Sequence, residues 1–171
     1  QLLSTLAATA GREGSGAVAV TPAAGVVGLY LLAGLPAKAT LTCIDPEATH
    51  HNKAKRLFRQ AGHSVARMRF LPSRPLDVMG RLANGSYQLV YLDVPVIDLP
   101  VVLESAWPLL SAGGTLIMVD CLLDGTIAEE DRHDRETLAA RQAQEMLTGF
   151  EDALVTHLPL GAGMTLVTRR N

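Results

Sequence analysis

Three aspartates are singled out by where they fall. Asp45, Asp93 and Asp120 each close an apolar run: Thr40-Leu41-Thr42-Cys43-Ile44, Tyr87-Gln88-Leu89-Val90-Tyr91-Leu92 and Thr115-Leu116-Ile117-Met118-Val119. Continuous apolar runs of this length mark strands covered on both faces. The three carboxylates are therefore expected together, at the carboxyl ends of parallel strands along one edge of a sheet. In an open parallel sheet that edge is where ligands bind, near the switch in strand order. A carboxylate there, ending the second strand, can accept hydrogen bonds from both hydroxyls of a ribose. Asp45 suits the ribose role and, standing before Pro46, also suits an ordinary helix cap. The turn Thr21-Pro22-Ala23-Ala24-Gly25 follows the first apolar run. It is expected to bring a ligand against backbone N–H groups at a helix start, with Gly25 beside small Ala23 and Ala24 leaving room.

The remaining chemistry-bearing residues read as structural. His50 and His51 are expected on the polar, solvated side of a helix; His63 follows a helix stop and His157 falls in a closing hairpin, with no metal-ligand spacing among them. Trp107, at helical spacing from Leu103 and Leu110, is expected in the core or an interface. Asp124, Glu129, Glu130 and Asp131 read as a solvated loop and helix start. Cys43 lies within one apolar run and Cys121 just after another, without metal spacing, which points to reduced thiols and a cytoplasmic protein.

These residues need a scaffold, and the chain offers an alternation of strands and helices. Strands are expected at Ala17–Thr21, Thr40–Asp45, Val65–Leu71, Tyr87–Asp93 and Thr115–Asp120. Helices are expected at Val26–Ala33, from Pro46 to about Gln60, Leu76–Leu82, Leu99–Leu110 and about Glu129–Leu147. In the third of these spans' predecessor, Ala54, Leu57 and Phe58 form an apolar face for packing on a sheet. Ala112-Gly113-Gly114 reads as a turn. Leu154–Leu160 and Met164–Arg169, joined by Gly161-Ala162-Gly163, make an antiparallel hairpin. Such alternation requires right-handed crossovers and a mostly parallel α/β sheet, with one reversed strand at the far side.

The 171 residues, 48% hydrophobic, fit one domain spanning 1–171 with a single well-covered sheet. A formal charge of −2 with no basic cluster gives nucleic acid or anionic lipid little to bind, so a small-molecule partner is expected. The uncharged run Ala17–Leu35 approaches membrane-span length, but Pro22 and the glycines break it into strand, turn and helix, and no membrane partner is expected. Nothing resembles a signal peptide. The chain opens at Gln1 directly into helix-like Leu2-Leu3-Ser4-Thr5-Leu6-Ala7, from which an upstream segment is expected to be missing.

On these residues the chain resembles the S-adenosylmethionine-dependent O-methyltransferases of the catechol and caffeoyl-CoA type over nearly its whole length. Val20 to Leu29 falls where that family's glycine-rich motif lies, Leu41–Asp45 matches its ribose-binding strand, and Leu89–Asp93 its fourth strand. Leu109-Leu110-Ser111-Ala112-Gly113-Gly114-Thr115-Leu116-Ile117-Met118-Val119-Asp120 is the most specific match, and Leu158–Leu166 resembles the closing hairpin. The resemblance implies a Rossmann-like class I methyltransferase fold, seven strands in the order 3-2-1-4-5-7-6 with helices on both faces. It implies S-adenosylmethionine bound by Thr21, Ala23, Gly25, Asp45, Pro46, Ser73, Arg74 and Asp93. Because the family often pairs, it also implies a homodimer, with Trp107 or the closing hairpin as the apolar patch.

Departures from the family pattern modify these expectations. Ala19 stands where the family has an acid, Pro22 removes an N–H, and only Gly25 remains of the repeated glycines. Ser73-Arg74 stands where an acid often contacts the adenine edge. The family's divalent-metal ligands correspond to Asp93, Asp120 and Cys121. A soft thiol in the third place damages a site for Mg²⁺, and Val96 replaces the lysine that assists deprotonation, so metal-assisted catechol chemistry is not expected. Three readings follow: transfer of a methyl group to a small-molecule hydroxyl, with no catalytic residue assigned; a catalytically inactive relative acting by binding or dimerisation; and a nicotinamide-dependent oxidoreductase. The last shares the ribose acid but lacks the glycine fingerprint.

Overall fold

The computed structural model describes residues 1–10 and 16–170. Its centre is a seven-stranded sheet in the order β3-β2-β1-β4-β5-β7-β6, as expected. The strands are β1 (Gly16–Val20), β2 (Thr40–Ile44), β3 (Met68–Leu71), β4 (Tyr87–Leu92), β5 (Leu110–Met118), β6 (Ala153–Leu158) and β7 (Met164–Arg169). The first five run parallel, and β7 lies antiparallel between β5 and β6. Every residue of β1 and β4 is buried, as continuous apolar runs require when helices cover both faces.

Alternation along the strands divides the core in two. Val18 and Val20 point to the same side as Val90, Leu92, Leu116 and Met118, and pack against α5 (Leu99–Ala106) and α6 (Arg135–Thr148). Ala17, Ala19, Leu41, Cys43 and Leu89 point the other way. They meet α1 (Leu2–Thr9), α2 (Ala24–Gly34) and α3 (Ala48–Gln60) through Ala7, Val27, Leu31, Ala54 and Phe58. The second layer is tight: a side chain at Gly28 would place its Cβ 2.3 Å from the Phe58 ring.

Several boundaries differ from expectation for local reasons. Val65–Arg67 forms a 3₁₀ turn rather than the start of β3, because the Ser64 hydroxyl accepts the Ala66 N–H. Ala112-Gly113-Gly114 does not interrupt β5; the strand runs through it, with a register shift against β4 between Tyr87 and Leu89. The last helix starts at Arg135, not near Glu129, because Asp134 accepts both the N–H and the hydroxyl of Thr137. The preceding acidic segment is held by Arg141, which donates to the carbonyls of Ile127, Glu129 and Arg132. Leu76–Leu82 resolves into the short α4 (Pro75–Val78) and a 3₁₀ turn. Trp107 is committed internally, stacked 4.6 Å from the Phe150 ring with the Arg169 guanidinium over its face.

Candidate functional site

A cleft of about 550 Å³ opens beyond the carboxyl ends of β1, β2, β3 and β4. The order of strands reverses between β1 and β4, so this is the topological switch point of the sheet. Four prolines form much of its lip: Pro22 after β1, Pro46 after β2, Pro75 at the start of α4 and Pro95 after β4. Val20, Ile44, Leu76 and Val102 add apolar wall, and Asp45, Asp77, Asp93 and Asp98 add charge. Among the described residues the one basic side chain lining the cleft, Arg74, is paired with Asp77 at 2.9 Å. The cleft therefore carries excess negative charge and suits a cation with an apolar, planar part.

Asp45 is the most firmly held carboxylate there. It follows β2 directly, is only 5% exposed, and accepts the Glu47 N–H on Oδ1 at 2.6 Å. Its Oδ2 lies 3.0 Å from Nδ1 of His50 on α3. An ionised carboxylate can only accept, so this imidazole nitrogen carries the proton. The placement corrects the expectation of two solvated histidines: His50 is bound to Asp45, and His51 is 3% exposed. His51 shares the buried face of α3 with Ala54 and Phe58, and its ring lies 5.3 Å from that of Phe70. Burial pushes the His51 imidazole below its ordinary pKa, against the pull of Asp45. Positions 51, 54 and 58 have helical spacing, a signal that would have placed His51 inward.

Asp93 also lines the cleft, and its Oδ2 accepts the Thr21 hydroxyl at 2.7 Å. The Thr21 oxygen in turn accepts the Ala23 N–H at 3.0 Å. Asp120 is engaged elsewhere: it adopts a positive φ of 53° and its Oδ1 accepts the Ala162 N–H of the hairpin loop at 2.8 Å. Cys121 is buried, its sulfur 3.2 Å from the Thr165 hydroxyl. Burial raises its thiol pKa, and burial pushes Cys43 up to about 12. Asp93, Asp120 and Cys121 thus serve a cleft, a hairpin and a core. Among the described residues no three His, Cys, Asp or Glu side chains gather to hold a metal, and we derive no metal-assisted step. Asp93 and Asp120 still share one neighbour, since both reinforce the effect of burial in raising the Tyr91 phenol to about 12.

Of the residues expected to hold a cofactor, Thr21, Asp45, Pro46, Arg74 and Asp93 line the cleft, whereas Ala23, Gly25 and Ser73 do not. Gly25 has a packing role: a Cβ there would lie 2.7 Å from Leu57 Cδ1 and 3.6 Å from Ala54 Cα, so the glycine lets α2 pack closely on α3. The N–H of Ala23 is already bonded to Thr21. Asp77, Asp98 and Val102 line the cleft without having been expected; they lie on or beside short helices after β3 and β4 whose approach to the switch point only the tertiary fold reveals.

A doubly wound sheet closed by a reversed strand, with an acid after β2 at the rim of a switch-point cleft, defines an α/β fold of methyltransferase type. The chain belongs to the O-methyltransferase family, whose model matches residues 20–170. It is 36% identical over 168 residues to a Mycolicibacterium smegmatis protein with the provisional name O-methyltransferase, covering 98% of this chain and 79% of that one. A Corynebacterium glutamicum crystal structure is 58% identical with a TM-score of 0.96, over 99% of this chain and 79% of that chain. The O-methyltransferase TomG of Streptomyces achromogenes, solved with S-adenosylmethionine, shares the fold at 23% identity and a TM-score of 0.87, over 99% and 78% of the two chains. This family membership leaves the nicotinamide-dependent reading without support.

Proposed function

We propose that this protein binds S-adenosylmethionine in the switch-point cleft and transfers its methyl group to a hydroxyl of a small molecule. The observation that carries this reading is Asp45: a nearly buried carboxylate, fixed by two N–H donors, at the rim of a cleft of about 550 Å³. That volume falls in the usual range for cofactor sites, roughly 300–1,000 Å³. Asp45 would accept the ribose hydroxyls, the proline-lined walls would hold the adenine, and Asp93 with Asp98 would favour the cationic end. When bound, the cofactor supplies an electrophilic methyl group on a sulfonium. Transfer would break the sulfur–methyl bond as a bond from methyl to the acceptor oxygen formed, with the acceptor's proton lost to solvent. The chain's part is to orient the two reactants and exclude competing water.

The test is calorimetric titration with S-adenosylhomocysteine. Asp45→Ala should weaken binding at least about tenfold, since hydrogen bonds to a charged acceptor contribute roughly 1.5–3 kcal/mol and about 1.4 kcal/mol is one decade. Equal affinity in variant and parent would remove Asp45 from the site. One observation favours a second reading, an inactive binding module. The β1 turn offers little to the methionine end, because Pro22 has no N–H and the Ala23 N–H is spent on Thr21. Cofactor binding without methyl transfer across a broad set of hydroxyl acceptors would support that reading.

The same reading places the protein in the cytoplasm, consistent with two buried free cysteines, Cys43 and Cys121. Among the described residues no helix is long and apolar enough to cross a membrane. Pairing, if it follows the family, falls on the closing hairpin, where Leu154, Val155 and Leu160 are exposed, rather than on Trp107. Light scattering at micromolar concentration should give a dimer mass, and a monomer would dismiss the pairing.

A further inference from the structure

We propose that His50 is a positioning residue for the ribose: it locks the Asp45 carboxylate in the one plane that leaves two lone pairs for the two ribose hydroxyls. The proposal rests on the cofactor reading above and goes beyond it, because it assigns a role to a side chain that does not itself line the cleft.

The count of donors and acceptors carries the argument. An ionised carboxylate has about four acceptor sites. Glu47 N–H takes one on Oδ1 and His50 Nδ1–H takes one on Oδ2, which leaves one on each oxygen. Two neighbouring ribose hydroxyls need two acceptors side by side, and that is what remains. The Glu47 bond fixes only one oxygen. The last torsion of an aspartate is broad and roughly two-fold, so a carboxylate held by one oxygen can still swing. A donor on the second oxygen removes that freedom before the ligand arrives, which saves the ordering cost at binding.

Local structure explains why the donor sits at position 50. Asp45 ends β2, Pro46 and Glu47 turn the chain, and α3 begins at Ala48, so residue 50 lies in the first helical turn. His51, next along the helix, turns into the core beside Phe70 instead. His50 is one-third exposed, and its side chain is hydrogen-bonded to Asp45. A residue fixed to a buried acid while its own ring stays at the surface contributes little to the core, which sets it apart from His51.

The experiment compares the S-adenosylhomocysteine affinity of the parent with those of Asp45→Ala, His50→Ala, His50→Asn and the Asp45→Ala/His50→Ala double variant. His50→Ala should weaken binding about fivefold, in keeping with the loss of one supporting hydrogen bond. His50→Asn should restore affinity to within about twofold of the parent, because the asparagine amide places an N–H near the position of Nδ1. The double variant should bind no worse than Asp45→Ala alone, since the histidine acts only through the aspartate. If His50→Ala fails to fold, His50→Gln carries the same test, its amide lying one methylene too far out to replace Nδ1. Parent-like affinity in His50→Ala alongside a weakened Asp45→Ala would overturn the positioning role and leave the ribose reading standing. Additive losses in the double variant would overturn it too. A parent that does not bind S-adenosylhomocysteine would overturn both.

Discussion

At the β2 corner Asp45 meets a cleft with its carboxylate held by two donors, one from the turn that follows it and one from α3, while at the β5 corner Asp120 turns away and holds the hairpin loop through Ala162. Both residues end a buried strand of the same sheet edge. What separates them is the next few residues. After β2 comes a short turn into α3, which returns N–H groups to the acid. After β5 the backbone enters a left-handed conformation at Asp120, and again at Leu123 and Asp124, and the Asp120 side chain accepts the Ala162 N–H of the hairpin loop. A strand-end acid is therefore poised for a ligand only when local donors hold it at the rim. Asp93 is intermediate: it lines the cleft, but one oxygen is taken by Thr21 from the turn after the neighbouring β1.

The largest effect should come from the hairpin side. Gly163 has φ of +98°, and a Cβ there would lie 2.3 Å from Leu122 Cβ. Gly163→Ala combines backbone strain with overpacking and should cost roughly 2–4 kcal/mol of stability. Urea unfolding would read that loss, and S-adenosylhomocysteine affinity of the folded variant should stay near the parent's. An affinity loss as large as that of Asp45→Ala would mean the two corners act together.

How much of this was legible beforehand follows the same division. The strand-end acids, the sheet order and the hairpin follow from apolar runs and glycine-bearing turns, which act over a few residues. The side-chain partners do not. Thr21 and Asp93 are 72 residues apart in sequence and meet only because β1 and β4 pair. A glycine near a strand end fits both a ligand cradle and a close helix crossing, and the crossing could not be read from sequence because it depends on where Leu57 of α3 lies. Cys121 matched a ligand position in the family pattern, yet its side chain faces Thr165 in the core. Cys121→Asn would therefore bury an amide rather than rebuild a metal site.

A smaller effect is expected where the two corners grade into each other. Thr21 is 2% exposed, and Thr21→Val keeps its shape while removing the hydroxyl between the Ala23 N–H and Asp93. The substitution leaves a donor and an acceptor each short of a partner, which should lower stability by about 1–2 kcal/mol. Thermal unfolding would measure it. No loss would show that water replaces the hydroxyl and that Asp93 is as free as a ligand-binding acid needs to be.

The smallest effect, Asp120→Asn, tests the comparison most directly. The amide oxygen of asparagine can accept the Ala162 N–H as the carboxylate does, and asparagine is among the residues that tolerate positive φ. If Asp120 is a hairpin clasp, its charge is dispensable, and stability should change by less than about 0.5 kcal/mol. Asp120→Ala, which removes the acceptor, should cost about 1 kcal/mol. A metal ligand would give the opposite ranking, because a hard cation depends on the carboxylate charge that asparagine lacks. Unfolding midpoints of the parent and Asp120→Asn, each measured with Mg²⁺ and with EDTA, separate the two cases. Equal midpoints in all four samples would fit the clasp. A rise with Mg²⁺ in the parent that vanishes in the variant would make the β5 corner a ligand site after all, and the distinction from Asp45 would fall.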